Sequence, residues 1–132
     1  MLTGKMTWFV LLLIASAVAG DALHIALEPR SDLPSVGASG GISGIIVFYA
    51  LQFPHAKLGF CWRYAWRYQW IQMSAVWAMA IWVLLQMVGA AEQVAGFSNI
   101  SSLAHLGGAV VGFLFWSSLR LKLNLSQSME NA

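Results

Sequence analysis

Four runs of apolar residues, each close to the length that crosses a bilayer, constrain this chain more than any other feature. They cover about residues 8–27, 36–53, 70–91 and 103–121. A hydrocarbon core about 30 Å thick takes about 20 apolar residues in a helix, and a helix satisfies its backbone polar groups where no water can. A water-soluble core is excluded by composition. Of 132 residues, 59% are hydrophobic and only 9% are charged, against about 25% charged in soluble domains. A chain this short also leaves too much surface exposed to hide so many apolar side chains. The expected fold class is an all-α membrane protein with four transmembrane helices. The first run has the ingredients of a signal peptide, Lys5 ahead of an apolar core with Ala17-Val18-Ala19. The run continues through Leu23, Ile25 and Leu27, and so reads as a retained span.

The basic residues orient the spans. Lys57, Arg63 and Arg67 lie between runs two and three, Arg120 and Lys122 follow run four, and Lys5 precedes run one. The other two loops hold Arg30 with Glu28 and Asp32, and Glu92 alone. Positive residues stay cytoplasmic, which puts both termini and the middle loop inside. Four crossings satisfy that N-in, C-in arrangement. Within the middle loop, Trp62, Trp66 and Trp70 recur every fourth residue beside Arg63 and Arg67. This spacing predicts a helix over about 60–70, lying in the cytoplasmic headgroup layer. Two arginines make a poor phosphate track, so nucleic acid is not an expected partner. The single cysteine, Cys61, leaves no internal disulfide framework.

In this topology runs two and four both start on the extracytoplasmic side. Ser39, in Gly37-Ala38-Ser39-Gly40, lies about one turn inside its run, counted from Pro34 and Ser35. His105 lies at a similar distance inside its own run, counted from Asn99 or Ser101. At 1.5 Å per residue both would sit roughly 5–10 Å below their helix starts. A candidate nucleophile and a candidate base thus share a depth, though one comes 66 positions after the other. A serine hydroxyl attacks an amide poorly until a base takes its proton, and histidine has a suitable pKa. Backbone N–H groups near Ser39 and Gly40, at a helix start, are candidates for holding an oxyanion.

Other readings of these residues are weaker or compatible. Gly37, Gly40, Gly41 and Gly44, with Ser39 and Ser43, form a small-residue face, and Gly108 and Gly112 form a GxxxG. Such faces let helices pack closely, and that packing would itself bring Ser39 to His105. Ser43 is a rival nucleophile, one turn deeper. Gly37-Ala38-Ser39-Gly40-Gly41 also satisfies GxSxG, but that elbow needs a preceding strand, and no alternating pattern precedes it. Asp21 and His24, near the outer end of the first run, read as interfacial or pocket-solvating residues, with Asp21 as a polar partner of the site or a ligand for catalytic water as the alternative; His55 reads as unrelated to catalysis. No ligand spacing supports a metal site built from Asp21, His24 and His105.

At these residues the sequence resembles the rhomboid family of intramembrane serine proteases. The GxSG signature matches Gly37-Ala38-Ser39-Gly40; the alanine-histidine with spaced glycines matches Ala104, His105, Gly108 and Gly112. The resemblance covers most of the chain, to about Trp116. It implies a Ser39–His105 dyad, without metal or cofactor, cleaving transmembrane segments of membrane-protein substrates near their extracytoplasmic ends. It also implies a multi-pass protein of a bacterial-type cytoplasmic membrane. Rhomboid cores have six helices, and the four runs correspond to the last four, a partial domain over 1–132. The family's Trp-Arg loop motif and an oxyanion histidine and asparagine would fall in the other two. The expectation is therefore a fragment, a late start or a degenerate member; a truncated or inactive form that binds membrane helices without cutting them is the alternative. Many members carry an aromatic residue one turn after the nucleophile, packed on the histidine; here that position is Ser43.

Overall fold

The computed structural model describes residues 2–28, 37–64, 67–97 and 100–130. Its elements run α1 (Leu2–Leu27), α2 (Gly37–Gln52), β1 (Lys57–Tyr64), β2 (Arg67–Ser74), α3 (Ala75–Val94) and α4 (Ser102–Glu130). Pro34, Ser35, Trp66 and Asn99, used above to place helix starts and the tryptophan stripe, lie outside the described residues. Met6–Leu27, α3 and α4 are long and apolar enough to cross a membrane. The fourth helix, α2, has 16 residues, about 24 Å at 1.5 Å per residue. The described residues form a four-helix membrane bundle carrying one β-hairpin.

Two expectations are corrected. Residues 57–64 and 67–74 pair as the antiparallel strands of a hairpin, Lys57 opposite Ser74 and Tyr64 opposite Arg67, where the tryptophan spacing predicts a helix over about 60–70. Consequently the third helix starts at Ala75, and residues 70–74 belong to β2. The physical reason lies in the spacing itself: four residues are about one helical turn and also two periods of a strand. Phe60, Tyr68, Trp70 and Ile71 favour a pleated backbone. A smaller difference is that α4 continues past residue 121 to Glu130, with its last turns exposed.

Packing centres on a seam of small residues. A methyl group built on Gly40 would lie 3.2 Å from the Ala104 carbonyl oxygen and 3.4 Å from that of Ser16. One on Gly108 would overlap the Gly40 backbone, and one on Gly112 would overlap that of Gly44. Gly20 of α1 completes the node, its added methyl 3.3 Å from the Gly40 Cα. Lipid tails are as apolar as leucine, so helices in a bilayer associate through close van der Waals contact, for which small residues are required. The contacts also fix direction. Partners rise together along α2 and α4, which are parallel, whereas Trp8 of α1 meets Phe115 of α4 while Gly20 meets Ala104. Helix α1 therefore runs antiparallel to both. Helix α3 is the least buried of the long spans.

Candidate active site

The parallel seam puts Ser39 and His105 on one level. Gly40 nests between Ala104 and Gly108, and Gly44 between Gly108 and Gly112, so a residue of α2 faces the position 66 later on α4. Ser39 is the third residue of α2 and His105 the fourth of α4. Both lie within the first described turn of their helices, and the start expected at Ser101 agrees with α4 beginning at Ser102.

The glycine contacts also settle which way the two side chains leave the seam. On α2, Gly40 faces both α1 and α4, and a methyl group built on Gly41 would lie 2.8 Å from Leu13 of α1. Successive residues turn by about 100°, so Ser39 leaves α2 on the side away from α1. On α4, a methyl group built on Gly107 would lie 2.8 Å from the Ala19 carbonyl oxygen of α1, while Gly108 faces Gly40. His105 lies about 160° round the helix from Gly107, again away from α1. Nucleophile and base candidates thus open onto the same side of the α2–α4 seam.

That side is where α3 packs. His105 Nδ1 lies 2.7 Å from Gln86 Oε1, and its ring sits 6.4 Å from that of Trp82. An amide oxygen only accepts, so Nδ1–H donates and the Nε2 lone pair is left as the basic site. Trp82 supplies the aromatic neighbour that Ser43, one turn after Ser39, does not. Ser43 is 2% exposed and its hydroxyl donates to the Ser39 carbonyl oxygen at 2.8 Å. A hydroxyl bonded back into its own helix is a common resting state for serine in membrane helices, and it makes Ser43 a poor competitor for the nucleophile's role.

His24 belongs to a different cluster. Its Nδ1 accepts from Gln93 Nε2 and from Ser101 Oγ, both at 3.1 Å. Gln93 Nε2 also donates to Glu28 Oε2 at 2.8 Å, and Gln93 Oε1 accepts the Leu103 N–H at 3.2 Å. One buried amide thereby ties the outer end of α1 to α3 and caps the first turn of α4, the turn that carries His105. Replacing Gln93 by leucine strands the Leu103 N–H and one or more polar partners. The expected loss is about 1–3 kcal/mol of stability, read as a lower unfolding midpoint in detergent micelles. Asp21 is half-buried on α1, and His55 is exposed at the turn before β1.

Gln86 and Gln93 are absent from the site expected from the sequence, although the sequence carries a signal for them. Trp82, Gln86, Gly89 and Gln93 recur at helical spacing and make every contact described above between α3 and its neighbours; Gly89 meets Ser102. Gln86 is the only polar side chain from Ala75 to Ala91, and polar residues inside a span are functional by default. The large apolar groove of about 470 Å³ among Trp8, Leu12, Phe48 and Phe115 lies elsewhere. Phe48 and Phe115 follow Ser39 and His105 by nine and ten residues, roughly 14 Å along their helices.

No curated protein and no solved structure matches the chain. The model of the Rhomboid domain matches residues 2–121, nearly the whole bundle. With its spans, its GxSG turn and its alanine-histidine helix start, the chain belongs to the rhomboid family, whose members are generally intramembrane serine proteases.

Proposed function

We infer that this protein is a serine endopeptidase that hydrolyses peptide bonds in or near transmembrane segments, using Ser39 as nucleophile and His105 as base. The observation that carries the reading is their common level and common side on two parallel helices locked by Gly40, Gly44, Gly108 and Gly112. Ser39 Oγ attacks the substrate carbonyl carbon as its proton passes to His105 Nε2. The oxyanion forms at the start of α2, where the Ser39 and Gly40 backbone and the positive end of the helix dipole favour negative charge. As the C–N bond breaks, His105 returns the proton to the leaving amine. Water then attacks the acyl-enzyme, giving its proton to His105, and Ser39 departs protonated. The residues proposed for the chemistry need no metal or cofactor.

Both helices bearing these residues are antiparallel to α1. With Lys57, Arg63, Arg67, Arg120 and Lys122 on the cytoplasmic side, the site faces the extracytoplasmic half of the bilayer, as in a bacterial-type cytoplasmic membrane. Its partners are transmembrane segments of other proteins that unwind near that surface. A fluorophosphonate probe tests the assignment directly. Covalent labelling is expected on the parent and on Ser43→Ala, and its absence on Ser39→Ala. Labelling that persists in Ser39→Ala refutes the nucleophile, and a parent that is never labelled favours a helix-binding protein without protease chemistry.

In this mechanism Gln86 is a positioning residue, holding Nδ1–H so that Nε2 stays unprotonated and aimed. Gln86→Leu is expected to lower kcat by about 10- to 100-fold, part of what general base catalysis supplies, with KM little changed. Gln86→Glu keeps an acceptor at that place and should recover part of the loss. Equal defects in both variants would assign Gln86 a packing role instead.

A further inference from the structure

The hairpin of β1 and β2 is left unexplained by the chemistry. A two-stranded hairpin alone in water is marginally stable and needs a surface to pack on. Strand residues alternate between faces, and here the register joins Leu58 to Met73 and Phe60 to Ile71 on one face. The opposite face carries Lys57, Cys61 and Arg63, with Tyr68, Trp70 and Gln72. On the apolar face Leu58 and Met73, nearest the helices, are half-buried, while Phe60 and Ile71 further out are 51% and 52% exposed. Among the described side chains, the bundle therefore covers only the base of that face.

What lies beneath the rest follows from helix length. Helix α3 has 20 residues, about 30 Å, which is the thickness of the hydrocarbon core. All of α3 is used in crossing, so Ser74 stands at the membrane boundary and the hairpin leaves the bundle within the headgroup layer. Each strand has eight residues, about 27 Å, enough to reach well beyond the bundle's edge. Charge identifies the lipid. Lys57, Arg63 and Arg67 lie on the hairpin, and no acidic residue occurs from Leu33 to Ala91. Basic groups at a bilayer surface are attracted to anionic headgroups. Arg67 falls on the apolar face at the hairpin's far end, where a long side chain can reach back to phosphate.

We propose that the hairpin lies flat on the bilayer as an anionic-lipid-binding paddle, with Leu58, Phe60, Ile71 and Met73 toward the acyl chains and Cys61 toward water. The lone cysteine makes this testable on the full chain. The parent is nitroxide-labelled at Cys61, and Phe60→Cys with Cys61→Ser is labelled at 60, each reconstituted in phosphatidylcholine bilayers with or without phosphatidylglycerol. In bilayers containing phosphatidylglycerol, residue 60 is expected to be several-fold more accessible to oxygen than to a nickel chelate, and residue 61 the reverse. The contrast should shrink in pure phosphatidylcholine, in 1 M salt, where charges are screened within about 3 Å, and in a Lys57→Gln, Arg63→Gln, Arg67→Gln variant.

Nickel access at both residues would overturn the proposal, because the hairpin would then stand in water. Protection of residue 60 that is indifferent to phosphatidylglycerol would overturn the choice of anionic lipid. Residue 60 closed to both reagents, with spin–spin coupling lost on dilution with unlabelled protein, would show a second copy on that face and overturn it as well.

Discussion

Gly108→Val is expected to cost about 3 kcal/mol, the upper end for overpacking a core, and to abolish any activity that depends on Ser39 and His105. A methyl group at residue 108 would overlap the Gly40 carbonyl oxygen and lie 2.7 Å from its carbon. The obstacle is backbone, so no rotamer change relieves it and the helices themselves must separate. A bilayer offers no hydrophobic driving force to hold them together once contact is lost. The same displacement moves the start of α2 from the start of α4, so stability and site geometry fail together. Thermal unfolding in micelles and cleavage of a single-span substrate read the two effects. Gly59→Ala is the control, because its added methyl would meet only the Trp70 ring at an ordinary 3.6 Å. It should leave both readouts nearly unchanged.

The seam also explains what could be read from the sequence. Apolar runs had to become helices because lipid leaves an isolated segment no other way to satisfy its backbone, and the spans follow from that. The level shared by Ser39 and His105 could be inferred because both follow helix starts closely, and distance along a helix is fixed by geometry. Their common side could not. It depends on Gly41 turning toward Leu13 and Gly107 toward Ala19, which is tertiary information. Tryptophans four apart satisfy two periodicities, and only the pairing of Lys57–Tyr64 with Arg67–Ser74 decides between helix and hairpin. Gln86 was legible as a polar residue in an apolar span, but its partner was not. His105 comes 19 residues later, and their meeting depends on the turn between α3 and α4.

Ser39→Ala is expected to reduce peptide cleavage at least about 1,000-fold, with folding unaffected. Removing the nucleophile of a serine protease leaves only what binding and oxyanion stabilisation contribute. His105→Ala should lose a comparable factor, since an unactivated hydroxyl is little better than none. The double variant should lose hardly more than either alone, because nucleophile and base act as a unit. That non-additivity separates a dyad from two residues that each support the fold, whose costs would add if they were independent. Ser43→Ala supplies the contrast. It removes a hydroxyl already bonded to the Ser39 carbonyl, so cleavage should stay close to the parent's. If Ser43→Ala were the variant that lost activity while Ser39→Ala kept it, the nucleophile would lie one turn deeper on α2. His105 would then have to act from a level above its own partner.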